Sequence, residues 1–366
     1  MNKIVVGNIL YRPMRSAISV LAVAIEVIMI LSIVAIMVGQ VQGAATQTSG
    51  VGADIIVQPP NASFIQSVGG APVPAKIADF LAKLPHVAVA APVTVELNVS
   101  GGVQSIDGID YPSYNALRPF VFLSGGPPKG ADDALVDDLY ARSHHVDVGG
   151  AIHLLNHVFQ VAGIVEHGKG SRVFVPIFTL DNLMGAPHNA SLFYLRSDDP
   201  KNEQLIINEI HETPQLSTYQ VQTLAEWMSM MTPEHLPGFN IALRVVIGIA
   251  VIVGFLVIFQ SMYTAVMERT REIGILKALG ASKGYIVNLV LREAGMVALV
   301  GIGLGIGLTE LVRLLMAVKF PTLTFLMTGN WMLAGAAIAL VGSILGALYP
   351  AWKAARKDPI DALAYE

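Results

Sequence analysis

Cysteine is absent from the 366 residues. The chain therefore has no disulfide framework, no thiolate metal site and no cysteine nucleophile. Charge is scarce as well: Asp, Glu, Lys and Arg make up 14% of the chain, where a soluble domain carries about a quarter. That deficit points to segments buried in lipid. A formal net charge of −4 excludes the basic excess that bulk contact with nucleic acid needs. No HExxH pattern occurs, and no spacing of nucleophile and base marks a membrane enzyme.

What the chain has is apolar sequence, 53% by residue, with a mean hydropathy of +0.58. A bilayer core about 30 Å thick needs about 20 mostly apolar residues in a helix. Four segments meet this: Ala17 to Val38, Asn240 to Val266, a run centred on Ala294 to Val312, and Trp331 to Tyr349. The first exceeds the roughly 7–15 apolar residues of a signal peptide and carries Glu26 midway, so it reads as an uncleaved span.

Lysine and arginine near the span ends give the orientation. Lys3, Arg12 and Arg15 precede the first span. Arg269, Arg271, Lys277, Lys283 and Arg292 lie between the second and third, and Lys353, Arg356 and Lys357 follow the fourth. Residues 40–60 and 220–241 have neither lysine nor arginine. The expectation is a multi-pass protein of the cytoplasmic (inner) membrane. Both termini are cytoplasmic and residues from about 40 to 238 lie outside as one block.

That block reads as mixed α/β. Strands are expected at Asp54–Val57, Val87–Val99, Val103–Ile109, Ser191–Leu195 and Ser217–Val221, and helices at Pro74–Leu84 and Pro200–His211. Between them, residues of about 112–188 change texture. Gly125-Gly126-Pro127-Pro128 marks a turn. A strand at Ala134–Val136, a helix at Asp137–His145, and strands at Ala151–Leu155, Val158–Val165 and Arg172–Pro176 follow. The fold class is thus membrane α-helical with four transmembrane helices, plus an extracytoplasmic α/β domain: a split α+β subdomain with a small β-rich subdomain inserted.

Several patterns could carry chemistry. Gly163 to Gly170 nearly spells a phosphate-binding loop, but Gly170 stands where Ser or Thr must follow Lys169 to hold magnesium. A glycine-rich turn is the better reading, so the chain has no ATPase machinery of its own. Nine histidines (His86, His144, His145, His153, His157, His167, His188, His211 and His235) all fall in the outside block and read as polar surface rather than metal ligands. Glu26, Glu310 and Arg313 lie within or at the edge of spans, where an ionisable residue calls for a role. Glu310 and Arg313 can pair on one helix face. Glycines at 301, 303, 305 and 307, and at 342 and 346, read as close helix packing.

The segment ERTREIGILKALGASKGYI, Glu268 to Ile286, says most. Glu268, Arg269, Arg271, Glu272 and Lys277 alternate with Ile273, Leu276 and Leu279, and Gly280-Ala281-Ser282 breaks the helix. A mere connection needs no such amphipathic helix. These eight residues are the candidate docking surface for a cytoplasmic partner.

This segment closely resembles the cytoplasmic signature of the FtsX-like permeases, the type VII ABC transporter permeases of MacB type. Tyr349 to Arg356 with Asp358 to Leu363 resembles that family's C-terminal motif, and Asn8 to Ser16 its N-terminal elbow. Leu135-Val136-Asp137, His145 to Gly149 and Phe159 to Val165 resemble the MacB-like periplasmic core domain. The resemblance implies a homodimer bound to two copies of a separate ABC ATPase subunit. No cofactor would sit on this chain, with ATP and magnesium on the partner. A periplasmic adaptor and an outer-membrane duct are possible further partners, membrane lipid is the surrounding medium, and nucleic acid is not a partner. No fused ATPase is expected, and the large two-part outside domain favours export over signalling. The alternative is an FtsX-like mechanotransmitter that regulates an extracytoplasmic hydrolase. The implied map is an elbow at 1–16, spans at 17–38, 239–266, 287–316 and 331–350, the outside domain at 39–238, a coupling segment at 267–286 and a tail at 351–366. The substrate stays open among haem, lipid, lipoprotein, peptide and drug.

Overall fold

The computed structural model describes residues 13–60, 62, 72–98, 104–230, 232 and 238–358. The chain divides into two compact units. A helical unit takes the chain up to Gly39, Gly238–Val318 and the chain from Leu323. An α/β unit takes Gln40–Pro237 and Lys319–Thr322. Residues 1–12 of the expected elbow and 359–366 of the expected tail lie outside the described residues.

In chain order the elements begin with helix α1 (Pro13–Ser49), strands β1 (Ile55–Gln58) and β2 (Val73–Pro74), helix α2 (Ile77–Leu81), and strands β3 (Val87–Asn98) and β4 (Gln104–Ile109). Helix α3 (Tyr111–Leu117), β5 (Phe122–Gly125), β6 (Asp133–Asp137), α4 (Asp138–His144), β7 (Ala151–Leu154), β8 (His157–Val165) and β9 (Val173–Pro176) follow. Then come α5 (Ile177–Leu183), β10 (Asn189–Ala190), β11 (Leu192–Ser197), α6 (Glu203–Glu212), β12 (Gln220–Thr223) and α7 (Leu224–Met230). The chain closes with α8 (Phe239–Glu268), α9 (Thr270–Ala278), α10 (Lys283–Lys319) and α11 (Gly329–Arg356).

Among the described residues, α1, α8, α10 and α11 are long and apolar enough to cross a membrane. Lipid is as apolar as leucine, so such helices associate by close fit and not by hydrophobic drive. Here the fit is made by small residues. A Cβ at Gly301 would come within 2.6 Å of Val23 Cβ, and one at Gly305 within 2.7 Å of Val27 Cβ, so α10 and α1 meet along an i, i+4 seam. Gly303 and Gly307 face no neighbour within 4 Å. Val23, Val27, Ile258, Met262, Ala294, Ile302, Ala339 and Ala347 fill the core between the four helices. Helix α1 does not stop at Val38 but continues to Ser49, and its last residues belong to the α/β unit.

The α/β unit is built on a ten-stranded sheet of order β12-β1-β11-β3-β4-β9-β6-β8-β5, with β7 paired to β8. The two-residue period of the strands sorts their side chains. Ile56, Val93, Leu135, Phe174 and Tyr194 form a core on one face with Tyr114 of α3 and Trp227 of α7. Ile55, Val57, Phe193 and Leu195 pack on the other face under α2 and α6, and Ile106, Val136, Val173 and Val175 under α4 and α5.

The inserted stretch is joined to its host more tightly than the change in texture implies. β4 pairs with β9 in parallel, from Ile106↔Val173 to Ile109↔Pro176, so one ladder runs through both parts. Three local expectations shift. The helix expected over Pro74–Leu84 is confined to Ile77–Leu81, because Pro74 is held in β2 against Asn189. The last strand lies at Gln220–Thr223 instead of Ser217–Val221. Helices α3, α5 and α7 and strand β5 stand where the sequence marked no element. Asp110 starts α3 by accepting hydrogen bonds from the Ser113 backbone N–H and hydroxyl.

The glycine stretch that resembles a phosphate loop is a socket for the end of α1. The Gly170 N–H donates to the Gln47 carbonyl at 2.8 Å, and the Gly168 carbonyl fills the space that a Cβ on Gly50 would need. Between them Lys169 is buried. Its Nζ donates to the carbonyls of Tyr114, at 3.3 Å, and Arg118, at the end of α3, and lies 3.8 Å from the Phe120 ring centroid. Burial lowers this ammonium to about 7, and burial raises the nearby Asp107 carboxyl to about 7.

The signs give a pH signature. From about 4 to 7 the folded Asp107 holds a proton that the unfolded chain has lost, so its contribution to stability falls as pH rises. From about 7 to 10 the unfolded chain holds the Lys169 proton that the folded unit has released, so stability rises. Lys169→Met should abolish the alkaline rise and leave the acid limb, as read by hydrogen exchange at residues 104–118 across pH. An unchanged alkaline limb would show that Lys169 titrates normally.

Candidate functional site

The eight candidate docking residues sit at the junction of α8, α9 and α10, and the structure divides them by face. Glu268, Arg271, Glu272 and Leu279 are exposed, Leu279 by 81%. Ile275, passed over in the sequence, is 46% exposed and completes the stripe. Glu272, Ile275 and Leu279 are spaced three and four apart along α9 and its C-cap and so share one side, and Glu268 ends α8 just across the break at Arg269. The stripe is acidic at its start and apolar at its end.

The other candidates point inward and hold the turn in place. Ile273 is buried and Leu276 packs on the same core as Ile286, Val290 and Ala354. Arg269 is 9% exposed, and its Nη1 donates to both carboxylate oxygens of Glu293 on α10, at 3.0 and 3.2 Å. Lys277 Nζ donates to the carbonyls of Ala355, at 3.1 Å, and Lys357 at the end of α11. An ammonium there satisfies helix-end carbonyls that have no partner within the helix. A cavity of about 70 Å³ lies beside the Arg269–Glu293 pair, walled by Met262, Val266, Leu276 and Val290.

Local sequence explains both ends of the turn. Gly280 adopts φ +97. The Ala281 N–H reaches the Leu276 carbonyl and the Gly280 N–H reaches that of Lys277, the paired bonds of a Schellman stop. Two residues on, the Ser282 hydroxyl accepts from the Tyr285 N–H and starts α10. The stop and the cap fix where the exposed stripe ends.

Of the intramembrane candidates, Glu310 and Arg313 form an ion pair one helical turn apart, both well exposed. Glu26 is different. It is 2% exposed, and neither carboxylate oxygen meets a hydrogen-bond partner among the described residues. It stands directly against Gly254 of α8, where a Cβ would collide with the carboxylate, and 3.8 Å from the place of a Cβ on Gly342 of α11. Two glycines on two helices make room for one carboxyl. About two helical turns away, the Ser19 and Ser261 hydroxyls hydrogen-bond across α1 and α8.

Glu293 and Gly254 were missed in the sequence. The signal for Glu293 was a carboxylate at the start of an apolar run, next to Arg292. Gly254 gave no signal apart from its helix partner. Several of the described histidines make small contacts, and His235 lies outside the described residues. His86, His157 and His167 hydrogen-bond to Asp198, Asp132 and Asp138, and His144 stacks on Tyr140. Among the described residues no group of three or more possible ligands is placed to hold a metal ion.

Residues 244–359 match the FtsX-like permease C-terminal family model, and residues 16–213 match the MacB-like periplasmic core domain. The chain is 26% identical to an uncharacterized ABC transporter permease, YknZ, of Bacillus subtilis, over 73% of this chain and 69% of that one. It is 25% identical to the macrolide export ATP-binding/permease protein MacB of Shewanella oneidensis, over 96% of this chain and 58% of that one. The chain thus spans a little over half the length of that exporter. The solved periplasmic region of MacB from Actinobacillus actinomycetemcomitans aligns over 53% of this chain and 97% of its own, at 13% identity and a TM-score of 0.40.

Two substitution sets test this geometry. Arg269→Met alone should cost about 3–5 kcal/mol by removing the guanidinium that meets both oxygens of the buried Glu293 carboxylate, and adding Glu293→Leu should recover most of that. The readout is thermal unfolding of the purified full chain, and equal losses for single and double variants would contradict the pairing. Gly254→Ala should cost about 1–3 kcal/mol by overpacking. The same change in a Glu26→Ala background should cost little, because the added methyl then has the space.

Proposed function

The chain belongs to the MacB-like periplasmic core domain family, here joined to an FtsX-like permease C-terminal region, and from that premise we propose that it is the membrane permease subunit of an ATP-driven ABC-type export complex. ATP and magnesium are bound by a separate ATPase subunit, two copies to a permease homodimer. The four long helices cross the inner membrane with both termini in the cytoplasm, where the lysines and arginines beside the spans concentrate. The α/β unit then works on the opposite side, with a periplasmic adaptor and an outer-membrane duct as its onward partners. ATP-driven movement of the spans reaches that unit and expels substrate there.

The observation that supports this most is the exposed stripe of Glu268, Glu272, Ile275 and Leu279 on a turn held rigidly from behind by Arg269, Ile273 and Lys277. An exposed leucine on a polar, well-anchored turn is the pattern of a contact surface. Anchoring matters to the mechanism, since a turn that gave way would absorb the ATPase stroke. The family supports an ABC-type partner, and the exposure of the stripe supports it as the face that partner meets.

Leu279→Asp and Glu272→Lys should leave thermal unfolding of the permease unchanged and lower permease-stimulated ATPase activity at least about tenfold, an interfacial cost of about 1.4 kcal/mol or more. Leu276 is unsuitable for this test, because it packs in the core. Pull-down of the full chain from its native membrane, with mass spectrometry, should bring an ATPase subunit that Leu279→Asp loses. An adaptor beside it favours export and a cell-wall hydrolase favours the mechanotransmitter. Absence of any ATPase under gentle conditions overturns the proposal.

A further inference from the structure

The α/β unit contains a feature that the ATP-driven reading does not use. β4 and β9 are neighbouring parallel strands, and their carboxyl ends are level, with Ile109 opposite Pro176. Each strand runs directly into a helix, and the two helices leave to opposite faces of the sheet. α3 puts Tyr114 and Leu117 into the core that holds Phe174. α5 puts Leu180 into the core that holds Val173 and Val175. Where two parallel strands send their connections to opposite faces, a crevice opens beyond the strand ends, and open α/β sheets bind ligands there.

The crevice is present. A cavity of about 240 Å³ lies at this point, walled by Ile109, Tyr111, Leu135, Phe174, Val175 and Phe178. Phe178 is 53% exposed, so an aromatic ring stands in water at its edge. The polar groups of the rim are mostly committed already. The Asp110 carboxylate is taken by the Ser113 backbone N–H and hydroxyl. The backbone N–H groups of Lys129 and Gly130 both donate to Asp133 at 2.7 Å. What remains for a ligand is an apolar, aromatic interior and, in the lining, the exposed Lys129 side chain, whose charge also acts on the Asp133 carboxylate. Sites of this composition hold the apolar body of a small molecule and orient it by one or two polar contacts.

We infer that the crevice between the carboxyl ends of β4 and β9 is a binding site for a small amphiphile. Its ring or branched apolar body enters between Tyr111 and Phe178, and its hydrogen-bond-accepting, acidic head faces Lys129. Occupancy requires nothing of the ATPase assembly and would place a ligand on the α/β unit itself. The ligand would meet the two halves of the sheet where they are joined, since β4 belongs to one and β9 to the other.

Saturation-transfer NMR on the full chain in lipid nanodiscs tests this, with naphthalene-2-sulfonate as probe and 2-naphthylmethylamine as its cationic counterpart. The sulfonate should bind saturably and more tightly than the amine. Phe178→Glu, which puts a charge on the apolar wall, should weaken it about tenfold or more. Lys129→Glu should weaken the sulfonate several-fold and narrow its advantage over the amine. Both replaced residues are exposed, and an unchanged unfolding temperature verifies that each variant is folded. Absence of saturable binding overturns the site. Equal binding in Phe178→Glu also overturns it, because the probe is then in lipid or elsewhere on the chain. Equal binding in Lys129→Glu overturns the acidic head.

Discussion

The contact between Arg269 and Glu293 is the one on which the proposed docking turn depends. It joins the residue between α8 and α9 to a carboxylate ten positions into α10, and both side chains are almost out of solvent. An ion pair so buried gains little net stability, because desolvating the two charges offsets most of their attraction. What it supplies is geometry. With either partner misplaced, both buried charges lose this contact, so arrangements of the three helices in which the guanidinium meets the carboxylate are favoured. Lys277 adds a second restraint at the end of α11, and Ile273 and Leu276 fill the angle between them. The outward stripe of α9 is defined by this inward fixing.

The same logic recurs at Glu26, with glycine in place of a cation. A carboxyl among apolar helices must face protein and not lipid. The bundle accommodates it by removing side chains opposite it, at Gly254 and Gly342. Elsewhere the missing side chains bring backbone to backbone, as at Gly346, where a Cβ would come within 2.8 Å of the Phe255 carbonyl on α8. Close approach and polar accommodation are thus two uses of one residue type, and they meet on α8 and α11.

In the α/β unit the equivalent constraint is hydrogen bonding. The β4–β9 pairing makes a single ladder of a host and an insertion, and Lys169 ties the loop after β8 to the carbonyls ending α3. The loop then receives the last turn of α1 through Gly170 and Gln47. The glycines that give the stretch its phosphate-loop look are there for these contacts. Gly168 and Gly170 adopt positive φ, and Gly50 leaves room for a carbonyl. A buried lysine is costly, and two carbonyls and the Phe120 and Tyr114 rings around its head offset that cost.

The chain's own sequence determined the number and approximate place of the apolar helices, because length and hydropathy alone decide what can cross a bilayer. It determined most strands, the helix stop at Gly280 and the cap at Ser282, since these follow from local chemistry within a few residues. It also marked Glu268 to Leu279 as unusual for a connecting loop. Tertiary structure decided which of those residues face out. Arg269 and Arg271 look alike in sequence, yet Arg269 is buried against Glu293, twenty-four residues on, and Arg271 is exposed. The junction of β4 with β9, the partner glycine of Glu26 and the role of Lys169 were likewise invisible. Each depends on two segments far apart in the chain arriving at one place, and no periodicity or propensity records such a meeting.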